Sequence, residues 1–163
     1  MRRGSLTVAA ALTLTSACKD PVLEARVEAL GPDTGPYPAG PNHRAGAPCT
    51  LCHMEGSAAS SPFDLGGTVY ARVSTKEGLG GVKVRLFDND GDELGVVTNE
   101  VGNFFLREGE LGPIDFPIWV ELAHQGEVTA MQAPIFRERS CATCHADPAG
   151  PSSPGHVYLR EEP

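Results

Sequence analysis

Two pentapeptides carry the reactive side chains of this chain: Cys49-Thr50-Leu51-Cys52-His53 and Cys141-Ala142-Thr143-Cys144-His145. In each, two thiols three residues apart share one face of a helical turn. An imidazole follows the second thiol directly. That spacing lets both thiols form thioethers with the two vinyl groups of a haem, while the imidazole comes beneath the iron as proximal ligand. C-x-x-C-H is the attachment signature of c-type haem. The chain has five cysteines, and these two pairs account for all but Cys18. The expectation is two haem c groups, bound covalently through Cys49 and Cys52 and through Cys141 and Cys144, with His53 and His145 on the irons.

Other uses of four cysteines explain less. Structural zinc would accept four thiolates, but about ninety residues separate the pairs, far more than ribbon spacing, and zinc needs neither adjacent histidine. Disulfides in an oxidising compartment also leave the histidines unexplained, and C-x-x-C is more typical of redox-active dithiols.

Two irons need two distal ligands, and three histidines remain. His43 precedes Cys49 by six residues, and His156 follows His145 by eleven, both in Gly- and Pro-rich chain off any apolar periodic face. They are the distal candidates, with a solvated loop histidine as the alternative at each. His124 ends an expected strand before the Gln125-Gly126 turn and reads as a surface histidine held in reserve. Met54 adjoins His53 and cannot reach the opposite face of the same haem. Met131 reads as core packing. The sequence contains no G-x-S-x-G, phosphate-binding loop or H-E-x-x-H pattern, so no catalytic residue is assigned.

The N-terminus reads as an address. Met1-Arg2-Arg3 is a positive n-region, Leu6 to Leu14 is apolar but too short to span a bilayer, and Thr15-Ser16-Ala17-Cys18 follows. Residues 1–17 resemble a bacterial lipoprotein signal, departing from it at Thr15, where Leu is usual. The resemblance implies that Cys18 is acylated and anchors the protein to a membrane of the bacterial cell envelope, facing the periplasm or the cell surface. An ordinary secretory signal is the alternative. A net charge of −8 and a pI near 5.0 leave no basic stripe to displace phosphate counterions, so nucleic acid is excluded as a partner.

The elements that must position these motifs are strands. With 19 glycines and 14 prolines among 163 residues, nearly every stretch is punctuated, and a mostly helical fold is excluded. Residues 18–42 read as a linker and 43–62 as the first haem-binding segment. Period-two alternation begins at Leu65: Val69, Ala71 and Val73 against Tyr70 and Arg72, then Val82, Val84 and Leu86, then Ile118, Val120 and Leu122. Asp90-Gly91 suits a hairpin between Val82–Phe87 and Glu93–Thr98. Asp88, Asp90 and Asp92 do not form an EF-hand loop, because the glycine comes fourth rather than sixth. With Asn103–Arg107, Phe116–Ala123 and Val128–Ala133, six strands are predicted over residues 63–135. The fold expected is mainly β, a small antiparallel β-sandwich flanked by two short irregular haem-binding segments, the second covering 136–163. An even strand count would bring both segments out at one end.

Residues from Leu65 to about Ala133 resemble a carboxypeptidase regulatory-like, transthyretin-like domain. The resemblance rests on Gly66-Gly67-Thr68-Val69-Tyr70, Gly81-Val82-Lys83-Val84-Arg85-Leu86 and Thr98-Asn99-Glu100-Val101-Gly102-Asn103-Phe104. It implies a non-catalytic scaffold or binding surface. The haem segments resemble those of multihaem c-type cytochromes, where porphyrin serves as much of the core. Together these readings describe an exported dihaem c-type cytochrome acting in electron transfer with exported redox proteins, not an enzyme. The alternatives are a surface lipoprotein whose sandwich binds a polysaccharide or protein, with structural or sensory haems, and a small haem enzyme with one open coordination site.

Overall fold

The computed structural model describes residues 20–160, so the signal segment and Cys18 lie outside the described residues. The first element is a helix, α1 (Pro21–Ala29), where the sequence suggests a short amphipathic or irregular stretch. Asp20 caps it, its carboxylate accepting from the backbone N–H of Val22 at 2.9 Å and Leu23 at 3.3 Å, with Pro21 at the first helical position. None of its residues is buried, so α1 is a satellite and not part of the core. Among the described residues, no helix is long and apolar enough to cross a membrane.

The six predicted strands form as β1 (Phe63–Tyr70), β2 (Lys83–Phe87), β3 (Glu93–Val97), β4 (Asn103–Arg107), β5 (Trp119–His124) and β6 (Glu127–Ala130). A seventh, β7 (Val157–Tyr158), follows the second haem motif. They make two sheets, β4-β1-β7 and β3-β2-β5-β6, stacked as a small β-sandwich. All neighbours are antiparallel except β1 and β7, where Val69 lies beside Val157 and Tyr70 beside Tyr158 in parallel. That parallel pair departs from the purely antiparallel expectation. It forms because the chain returns to β1 after the second motif and satisfies the free edge of the strand.

The core lies between the sheets. Leu65 and Val69 of β1 with Phe104 and Leu106 of β4 meet Val84 and Leu86 of β2 and Val120 and Leu122 of β5. Leu159, just past β7, is 2% exposed and joins them, so the C-terminal segment is built into the same core. Met131 packs against this core, half-buried, as expected.

In β1 the sequence and the structure part. Alternation beginning at Leu65 and carried by Val69, Ala71 and Val73 suggested a half-buried strand, yet the strand spans Phe63–Tyr70 and is buried on both faces from Leu65 to Tyr70. A strand covered on both sides cannot show period two. Its inner face, Leu65, Gly67 and Val69, meets the core. Its outer face, Gly66, Thr68 and Tyr70, is covered by the two segments that carry the C-x-x-C-H motifs. A bulge between Phe63 and Leu65, with Asp64 as the extra residue, turns Phe63 to the outer face as well. Asp64 is then fixed by the backbone N–H of Gly109 at 2.8 Å and of Leu111 at 3.2 Å, and by Arg139 at 3.2 Å.

Candidate functional site

Both motifs sit against β1, on successive residues. A Cβ placed on Gly66 would lie 3.3 Å from Cys49 Cβ and 3.4 Å from its Sγ, and one on Gly67 would lie 2.8 Å and 2.7 Å from the same atoms of Cys141. Successive strand residues face opposite ways, so the Gly66-Gly67 pair receives Cys49 on the outer face and Cys141 on the inner one. The seats of the two first thiols are thus adjacent residues of β1, about 3.3 Å apart along the strand and on opposite faces.

The two motifs repeat one local geometry. Cys49–Leu51 forms a single 3-10 turn, and the His53 N–H donates to the Cys49 carbonyl at 2.9 Å. Cys141–Cys144 forms one helical turn, α2, and the His145 N–H donates to the Cys141 carbonyl at 2.8 Å. His53 Nδ1 then meets the Ser61 carbonyl at 2.8 Å, and His145 Nδ1 meets the Gly155 carbonyl at 3.1 Å. A carbonyl on Nδ1 fixes the proton there and leaves Nε2 as a lone-pair donor, the state a metal-bound imidazole requires. Burial also pushes the His145 pKa below its ordinary value, which favours the neutral ring.

At the first motif a second imidazole is in place. The ring centroids of His43 and His53 are 5.8 Å apart, tilted by 50°. Two metal–imidazole bonds of about 2.0–2.1 Å, with the two ring radii, would set facing centroids somewhat over 6 Å apart, so the two rings stand slightly closer than a shared metal would hold them. His43 Nδ1 is likewise tied to a backbone carbonyl, that of Gly40. The Gly- and Pro-rich segment holding His43 is not a loose linker. Asn103 Nδ2 donates to the carbonyls of Pro41 and His43, each at 3.1 Å, and the Gly46 N–H donates to Thr68 Oγ1 at 2.8 Å. Beneath His53 lies an aromatic stack, Phe63 at 4.0 Å and within 3° of parallel, then Phe105 at 4.7 Å from Phe63. Cys49, Cys52, His53, His43, Phe63 and Phe105 all line one cavity of about 510 Å³.

The second motif is arranged differently around its imidazole. Cys144 is exposed and Cys141 half-buried against the core. His156, which the sequence places in open irregular chain, is buried at 9% exposure and lies flat on Tyr70, centroids 4.0 Å apart and 13° from parallel. Tyr70 provides this platform because it points outward from β1 while Val157 pairs with Val69. His156 Nδ1 is buried with no hydrogen-bond partner, as is Ser140 Oγ. A buried imidazole nitrogen left unpaired costs about 1–3 kcal/mol unless something binds it. Among the described ring contacts no imidazole faces His145 as His43 faces His53.

Burial of the paired thiols has a chemical consequence. It pushes Cys49 from 9.0 up to about 11 and Cys141 up to about 12. Before attachment both are thiols at neutral pH, and alkylation of the folded apo chain should label exposed Cys144 before either of them. An unfolded thiol ionises near 9 while the folded ones resist, so this contribution to apo stability is intact below pH 9 and declines as pH rises towards 11–12. Urea midpoints of the apo chain at pH 8 and pH 10.5, together with mass-mapped alkylation, check both outcomes. An unchanged midpoint, or Cys141 labelled first, contradicts them.

At the first motif these residues fit a c-type haem: paired thiols on one turn, an imidazole whose Nδ1 is bonded to a carbonyl, a facing imidazole and an apolar cavity; the second motif repeats the thiols, the turn and the tethered imidazole. Two haem c would be held by Cys49, Cys52 and His53 with His43, and by Cys141, Cys144 and His145, with the unpaired nitrogen of His156 as the remaining donor. Among the described residues, no three His, Cys, Asp or Glu side chains converge as a bare metal-ion site. His124 lies on the other sheet, its Nδ1 at 3.1 Å from the Gly81 carbonyl, remote from both motifs. Met54 is exposed beside Leu51, in a groove shared with α1. Sequence reasoning missed Phe63, Phe105, Tyr70 and the packing role of Gly66-Gly67. A G-G pair and three outward aromatics around a strand were the available signals. No family model matches the chain, and no curated protein or solved structure resembles it significantly.

Proposed function

We propose that this protein is an exported dihaem c-type cytochrome that passes electrons between exported redox proteins, anchored to the bacterial cell envelope through Cys18. The observation that carries this reading is the His43–His53 pair, 5.8 Å between centroids, beside Cys49 and Cys52 in one cavity. The matching turn, thiols and carbonyl-tethered imidazole at the second motif support a second group. A haem bound by His53 and His43 would supply one-electron transfer with no position left for a substrate. The chain's own part is to hold those imidazoles aimed. Ser61 and Gly155 carbonyls keep the protons on Nδ1, Asn103 holds the backbone of His43, and Phe63 keeps the His53 ring from turning. The sandwich keeps both sites on one strand, so the two groups share a rigid mount.

The test is a pyridine haemochrome spectrum of protein made with cytochrome maturation machinery. Two haems per chain are expected, falling to about one in Cys52→Ala and in Cys144→Ala, with neither variant losing the other group. Secreted wild-type protein that is colourless or carries zinc overturns the proposal.

A further inference from the structure

The cavity at the first motif is charged in a way that the chain as a whole is not. The sequence has 21 acidic and 13 basic residues. Yet among the described residues that line this cavity, the charged ones are Arg44 and Arg107, and no Asp or Glu is present. Its remaining walls are mostly Ala, Gly, Pro and Phe. A largely apolar cavity with two guanidinium groups fits an apolar body carrying two negative charges.

Both guanidinium groups keep donors free. Arg107 lies over the Phe105 ring at 5.5 Å, and its Nη1 is 3.9 Å from Glu110, beyond hydrogen-bond reach. The other Glu110 oxygen instead accepts from the Arg107 backbone N–H at 2.7 Å. Arg44 donates from Nη2 to the Gly31 carbonyl at 2.7 Å, and its Nε is 3.7 Å from Asp33. That engages a minority of its five donors. Arg44 also adopts φ +48°, a left-handed conformation uncommon outside glycine, directly after His43. Arg107 stands two residues along β4 from Phe105, which pairs with Gly66, so it is about 7 Å along the strand from the Cys49 seat.

We infer that Arg44 and Arg107 are the positioning residues that receive the two propionate carboxylates of the haem seated at Cys49 and Cys52. This rests on the proposed function and adds the orientation of the group: thioether edge at Gly66, carboxylate edge at the two arginines. It also makes the first site the one whose potential depends on these charges. A guanidinium on each propionate offsets negative charge near the iron and so favours the ferrous state.

Spectroelectrochemistry of the intact dihaem protein tests this, with Arg44→Gln, Arg107→Gln, Arg107→Lys and, as a remote control, Arg85→Gln. Each Gln variant at the site should shift one of two waves to lower potential by up to about tenfold in the redox equilibrium, about 59 mV for one electron. Arg107→Lys should shift it less, since it keeps the charge but not the fork. Loss of the first haem alone in the double Gln variant, with Cys49 and Cys52 recovered as free thiols by mass spectrometry, also supports the assignment. Two haems per chain with both waves unmoved in the Gln variants overturns it and leaves the proposed function standing. So does an equal shift in Arg85→Gln. A wild-type protein without haem overturns both.

Discussion

Gly67→Ala should leave the protein with one haem, the first, and lower its stability by about 1–3 kcal/mol, the usual cost of forcing a methyl group into a filled space. The new Cβ would stand 2.7 Å from Cys141 Sγ, 2.8 Å from Cys141 Cβ and 3.1 Å from the Phe104 ring. None of these is the far end of a flexible side chain. Cys141 starts α2, and Phe104 is 3% exposed in the core. Relief therefore means moving α2 off β1, which disturbs the thiol pair and His145 together. Gly66→Ala is the matched comparison. Its Cβ would meet Cys49 at 3.3–3.4 Å, tight contact that a shift of a few tenths of an ångström relieves, so the first haem should be retained with a smaller stability loss. Haem-to-chain ratio by pyridine haemochrome and urea midpoints read both. Two haems and an unchanged midpoint in Gly67→Ala would falsify the placement of Cys141 on β1.

The two C-x-x-C-H motifs were legible because the attachment proposed for them would need thiols and imidazole within five residues, a constraint local enough to survive without a fold. The strands β2, β3 and β5 were legible for a related reason: inward residues alternate with outward ones along each, so period two is preserved. β1 was not. Its outer face is covered by the segments that carry the C-x-x-C-H motifs, and Tyr70, which alternation assigns to solvent, is 4% exposed beneath His156. β7 has two residues and exists only because β1 offers a free edge, which no local pattern reports. The bulge at Asp64 is equally silent in sequence, yet it decides that Phe63 lies under His53 and not in the core. The side-by-side placement of the motifs was expected from an even strand count. In the structure both are mounted on β1 itself, the second by Gly66 N–H donation to the Arg139 carbonyl at 2.9 Å just before Ser140 and Cys141. His43 and His156 were equivalent in sequence, each a loop histidine flanking a motif. Folding separates them: one faces its partner imidazole across a cavity, the other is stacked on tyrosine with a nitrogen unpaired.

That separation makes His43→Ala the most informative ligand substitution. It should convert one iron per chain from six-coordinate low-spin to five-coordinate high-spin, and allow one equivalent of carbon monoxide to bind the reduced protein, where the wild type binds none at that site. The backbone around His43 does not depend on its ring for position, because Asn103 holds the Pro41 and His43 carbonyls and Thr68 holds Gly46. A change in spin state would therefore report the lost ligand and not a collapsed loop. His43→Met should instead restore six coordination with a higher potential, as a His/Met pair does. His124→Ala, on the far sheet, should leave both irons unaltered. His156, stacked on Tyr70, faces neither proximal imidazole among the described ring contacts, so His156→Ala should leave the first iron's signals unchanged in the paramagnetic proton spectrum. If His43→Ala leaves both irons low-spin and blind to carbon monoxide, the 5.8 Å pairing of His43 with His53 is a packing contact and the distal ligand lies elsewhere.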